Sequence, residues 1–219
     1  RGYSDLDLVN YFDSSSYAKI YLKAVTEDLL NNITYVDDQW ISYSDNFIND
    51  FETNSQGSSI SILVNALCLH YEFYVRRGKI GLPLGIFNGF SQQAMPELVE
   101  CYHYGQSLPF AIRSVESLKK FINGNNFAGQ DDGLGLDDYM DFVNAEQNSN
   151  QLSDVINNQM ELIITELNTL NDPLSNEVIQ NKPAVSNAYD YMQQLVPYIK
   201  VDMTSALGIL ITYQDNDGD

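Results

Sequence analysis

A chain of 219 residues, 44% hydrophobic and 12% aromatic, is long enough to bury a sizeable core. Eleven Lys and Arg against thirty Asp and Glu leave a formal charge of −19, which excludes the basic footprint of a nucleic-acid binder and opposes docking on an anionic membrane. No apolar run reaches the length of a membrane span; no signal peptide is present, and the first residue is Arg1, so a mature or trimmed chain is expected.

Ser4 with Asp7 three residues on, before Leu6, Leu8 and Val9, predicts a short capped helix over 1–12. Asp13-Ser14-Ser15-Ser16 is a turn and a second cap. From Tyr17 to about Phe51, Leu22, Val25, Leu29, Ile33, Val36, Trp40, Tyr43 and Phe47 recur in steps of three and four, the stripe of a long bundle helix. The polar Gly/Ser/Asn break over 53–59 marks a boundary, giving domains 1–55 and 56–219.

In the stretch 58–85, Ile60, Leu63, Val64, Leu67, Tyr71 and Tyr74 trace one buried helix face, with Ser61, Asn65 and Glu72 off it. Arg76-Arg77 suits the negative end of the helix dipole, Gly78 is placed as a left-handed cap, and 79–85 reads as a constrained glycine-rich loop. Helices are predicted over 95–101, 107–121 and 136–145, on the stripe Leu152–Leu170, and from Val185 to Leu210, where Pro197 demands a kink or break. Only Ile209–Tyr213 hints at a strand. Cys68 and Cys101 both lie in apolar patterns and are read as buried free thiols. The expected class is all-α.

Four ordered segments resemble one family: Lys79-Ile-Gly-Leu-Pro-Leu-Gly85; Glu100-Cys-Tyr-His-Tyr-Gly-Gln-Ser-Leu108; Gly133-Leu-Gly-Leu-Asp-Asp138; and Val201-Asp202 with Ala206-Leu-Gly208 through Asp219. These are similar to the imelysin-like exported proteins of bacteria. The resemblance implies two related helical bundles, a link to iron uptake, export to the periplasm or anchoring as a surface lipoprotein, and a peptidase label. The opening residues match mid-domain sequence of that family, so the first bundle is expected to lack its leading helices here and its long helix to expose an apolar face.

The same resemblance brings a metal-site motif, Gly-x-His-x-x-Glu, aligned with Gly2-Tyr3-Ser4-Asp5-Leu6-Asp7. Ser4 replaces the histidine and Asp7 the glutamate. A neutral hydroxyl is a poor ligand, and Ser-x-x-Asp is itself a helix start, so this departure speaks against both a peptidase and an iron or zinc cofactor. Asp7, Glu100 and His103 remain the metal-ligand candidates, Glu100-x-x-His103 having the spacing used in di-iron bundles. His70 is expected half-buried and hydrogen-bonded. Asp215–Asp219 only superficially matches a calcium loop. The expected site gathers Gly2, Ser4, Asp7, Lys79, Glu100 and Ser107: Asp7 and Glu100 as acceptors, Lys79 for an anion, Ser4 and Ser107 as hydrogen-bonding groups. Ser107 is also expected to cap its helix. The expected occupant is a small ligand or metal ion, with a protein partner as the other class.

Overall fold

A computed structural model describes residues 4–49, 55–126 and 132–213. The fold is all-α, and its contacts separate into two units, residues 1–52 and 53–219.

The first unit is a helix pair, α1 (Asp5–Ser14) and α2 (Ser16–Asn49). The Ser4 hydroxyl oxygen accepts from the Asp7 amide at 3.2 Å and donates to Asp7 Oδ2 at 2.6 Å, closing the start of α1. Ser15 Oγ then accepts from the Ala18 amide at 3.2 Å and opens α2. Along α2 the stripe from Leu22 to Tyr43 is exposed.

The second unit is built on one unbroken helical run from Ser59 to Leu84. It opens as α3 (Ser59–Leu69), widens into a π-helical segment at His70–Gly81 and closes as α4 (Leu82–Leu84). The expected cap at Gly78 and the expected loop from 79 to 84 are therefore helix. Pro83 has no N–H to offer the carbonyl four residues back; the π segment before it ends with Leu82 donating to Arg77, and past Gly85 the bonds from Gly85 to Leu82 and from Ile86 to Gly81 cap the helix. Gly78 suits this winding, because a Cβ there would sit 3.2 Å from the Phe73 carbonyl oxygen. The left-handed stop falls at Gly85, φ +82°, where a Cβ would drive into the Gln93 carbonyl.

Residues 95–101, expected helical, form only a short 3₁₀ turn at Pro96–Leu98. Then follow α5 (Leu108–Ile122), α6 (Leu136–Phe142), a two-residue hairpin of β1 (Glu146–Gln147) and β2 (Asn150–Gln151), α7 (Leu152–Leu167), α8 (Leu174–Gln180) and α9 (Lys182–Pro197). The hairpin pairs Glu146 with Gln151 and Gln147 with Asn150, and its two turn residues, Asn148 and Ser149, both have positive φ. Pro197 neither breaks nor ends the helix. The chain passes into a second π segment, Tyr198–Met203, and then α10 (Thr204–Ala206). Helix α7 packs between α5 and α9, and the first π segment packs on α9. Val64, Val75, Ile80, Val115, Ile156, Ile163, Met192 and Leu195 are wholly buried among these elements.

Residues 209–213 form no strand. They are pinned to the central helix by side chains expected to face outward. Asn65 donates to the Leu210 carbonyl and accepts from the Thr212 amide at 2.8 Å, and Tyr213 donates to Glu72 Oε1 at 2.6 Å. Ser61, Asn65 and Glu72 are thus buried, whereas Tyr74, placed on the buried face by spacing, is exposed. No described helix is long and apolar enough to cross a membrane.

Candidate functional site

In the second unit, a cavity of about 480 Å³ opens against the π segment, lined by His70, Tyr74, Gly78, Lys79, Glu100 and Ser114. It adjoins an apolar cavity of about 520 Å³ between α3 and α5, walled by Leu63, Leu67, Phe110, Leu118 and Phe121 and bordered by Arg113. His70, Lys79 and Ser114 line both.

Lys79 Nζ lies 2.5 Å from Glu100 Oε2. The lysine side chain is 16% exposed and the glutamate 40%, so the pair sits at the cavity mouth with the cation further in. Behind it, Ser107 Oγ donates to the Glu100 carbonyl at 2.6 Å. Three expected site residues, Lys79, Glu100 and Ser107, are therefore brought together. Ser107 does not cap α5. Asp172, from the loop before α8, does so, accepting from the Ser107 amide at 3.0 Å and from the Leu108 amide at 3.2 Å. A carboxylate is the stronger partner for the positive end of a helix, which frees the serine hydroxyl to hold the 100–107 loop.

Ser4 and Asp7 belong to the first unit, where they bond to each other at the start of α1. Gly2 and the Asp215–Asp219 segment lie outside the described residues. His70, expected half-buried, is exposed and leans on the Tyr74 ring at 5.6 Å between centroids. His103 is exposed too, edge-on to Tyr102. Cys101 is exposed, against the expectation of two buried thiols; Cys68 is buried, and neither forms a disulfide.

Over residues 4–198 the sequence matches the imelysin family, a family labelled as peptidases. The chain belongs to the imelysin family. No curated relative and no solved structure matches it.

A metal implied by the imelysin motif finds a poor donor set here. Ser4 and Asp7 offer one neutral hydroxyl and one carboxylate, already bonded to each other at an exposed helix start. Among the described residues no three of His, Cys, Asp and Glu converge as a metal centre.

The imelysin chain also buries charge that spacing assigned to a helix end. Arg76 is fully buried, with its guanidinium 5.8 Å from the Phe87 and Tyr189 ring centroids. It donates to Tyr189 Oη at 3.0 Å and to Gln193 Oε1. Tyr71 donates to the Met192 carbonyl at 2.7 Å, and burial pushes its phenol up, partly offset by Arg76. Between the two π segments, Lys200 Nζ lies 2.9 Å from Glu72 Oε2. In sequence only Val75, one residue before Arg76, and Ile80, four after it, hint that the helix stays inside at this point; both are fully buried.

Proposed function

We propose that this chain is a non-catalytic, exported binding protein of the imelysin family, associated with bacterial iron uptake and placed in the periplasm or on the cell surface as a lipoprotein. The Lys79–Glu100 pair at the mouth of the paired cavities carries the reading. A lysine largely enclosed by the wall, on a chain of net charge −19, is a local positive spot in a negative surround. An incoming carboxylate displaces Glu100 from Lys79, while Arg113 borders the apolar side. The Ser107 bond to the Glu100 carbonyl keeps the loop in place during the exchange. An anionic iron chelate or a small carboxylate is the ligand class that fits.

The second reading is a metal-dependent peptidase, as the family's label suggests. It requires a metal-activated water and a general base. The serine at the motif's histidine position removes the natural anchor for that metal.

Two measurements separate the readings. Protein purified from iron-replete medium is assayed for bound iron and zinc, and incubated with a denatured protein substrate with and without chelator. The binding reading predicts no cleavage and no stoichiometric protein-ligated zinc. Chelator-sensitive cleavage establishes the peptidase instead.

A further inference from the structure

The apolar cavity beside the Lys79–Glu100 pair is walled by two helix faces. Leu63 and Leu67 stand one turn apart on α3, and Phe110, Leu118 and Phe121 share one face of α5. Leu67 and Leu118 are buried, whereas Phe110 and Phe121 are each 44% exposed beside a cavity of about 520 Å³. Apolar wall of this extent, continuous with a polar mouth, is the usual make-up of a small-molecule site.

Charge narrows the occupant. Helix α3 contains no charged residue. Among the described residues no carboxylate lines this cavity, on a chain with thirty Asp and Glu. The two charged residues that line it are both cations, Lys79 and Arg113. Lys79 is 16% exposed and lines the polar cavity as well, so it stands where the two meet. Arg113 is held by an exposed pair with Glu116 at 2.9 Å, a contact of small worth that an incoming anion can exchange. An apolar wall that ends in cations complements an apolar chain that ends in an anion.

We infer that the ligand is an amphipathic carboxylate: its head takes the place of Glu100 on Lys79, and its unbranched apolar tail lies between α3 and α5. This rests on the reading of Lys79 as the anion anchor and narrows its ligand class, from carboxylates in general to one with a tail. His70 and Ser114 line both cavities and mark the junction. From there the apolar wall runs seven residues along each helix, to Leu63 and to Phe121, which is about 10 Å at 1.5 Å per residue. A fully extended chain advances about 1.2 Å per bond, so a tail of about eight or nine bonds covers the wall.

The test is calorimetric titration of the full chain with hexanoate, octanoate, decanoate and dodecanoate, each below its micelle concentration. Kd should fall about two- to fourfold per added methylene up to decanoate and level off beyond it, fourfold being the worth of a fully buried methylene. 1-Decanol, which has the tail without the charge, should bind about tenfold more weakly than decanoate or worse. Lys79→Ala should weaken decanoate by about the same factor and keep the gain per methylene. Ala66 is exposed and lines the cavity, so Ala66→Trp fills it from the solvent side without disturbing the core. That variant should lose the chain-length gain at unchanged helicity. Decanoate bound no more tightly than hexanoate overturns the inference. So does 1-decanol bound as tightly as decanoate, decanoate binding unmoved by Lys79→Ala, or a chain-length gain that survives Ala66→Trp. Citrate, titrated on the natural chain, separates tail from anchor: citrate bound with no chain-length gain among the fatty carboxylates sinks the tail and leaves Lys79 as the anion anchor, whereas neither bound sinks both.

Discussion

Lys200 and Glu72 meet at 2.9 Å between the two π-helical segments of the second unit, with the glutamate 3% exposed and also accepting from Tyr213. Two charges taken out of water are stable there only as a pair. Glu72→Ala should therefore cost about 1–3 kcal/mol by urea denaturation, because it removes the acceptor shared by Lys200 and Tyr213. Glu72→Leu combined with Lys200→Met should recover most of that loss. The single variant should also free residues 209–213, read as faster proteolysis of the C-terminal segment.

Arg76 tests whether the buried guanidinium is needed for its shape or only its charge. Its planar head is held between the Phe87 and Tyr189 rings while bonded to Tyr189 and Gln193. Lysine keeps the charge and loses the planar stacking. Arg76→Lys should cost at least about 2 kcal/mol, close to Arg76→Met, by thermal and chemical denaturation.

The two cysteines should behave differently. Burial, reinforced by Glu72 and opposed by Lys200, pushes the Cys68 thiol from 9.0 up to about 12. A thiol-specific reagent should modify Cys101 alone in the folded protein and both thiols in urea. The sign of the pH effect follows from which state holds the proton. Between pH 9 and about 12 the unfolded chain loses the Cys68 proton and the folded chain keeps it. The contribution is complete below pH 9 and is lost as pH rises, with a slope of at most about 1.4 kcal/mol per unit. Cys68→Ala should flatten that alkaline fall in stability.

The residue pattern foretold most of the helices and little of the manner in which they are wound. Spacing located α3, α5, α7 and α9, because one buried face leaves a periodic trace, and α2 by an apolar stripe that is exposed here. It misread 78–84 as cap and loop, since Gly78, Pro83 and Gly85 are loop signals on propensity alone. Only the packed fold shows that helical winding runs on through Pro83 and Pro197. Asn65, Glu72 and Arg76 look like surface residues, yet each is buried by a partner more than 100 residues away. Local patterns carry no trace of such distant partners. At the site, Lys79, Glu100 and Ser107 were visible as a set through resemblance to a family. The Asp172 cap, the exposure of His70 and the place of Arg113 depended on which loops come together.

The most direct measurement compares ligand-induced stabilisation of the natural chain and of Lys79→Ala. Ferric citrate and citrate alone serve as anionic probes in separate titrations, followed by thermal unfolding. Removing Lys79 leaves Glu100, 40% exposed, to be solvated at the cavity mouth, so unliganded stability should fall by about 1–2 kcal/mol. The natural chain should be stabilised by at least one probe, by about 2.7 kcal/mol at a hundredfold excess over Kd, and Lys79→Ala should lose that gain. Equal stabilisation of both proteins, or none of either, would contradict the account.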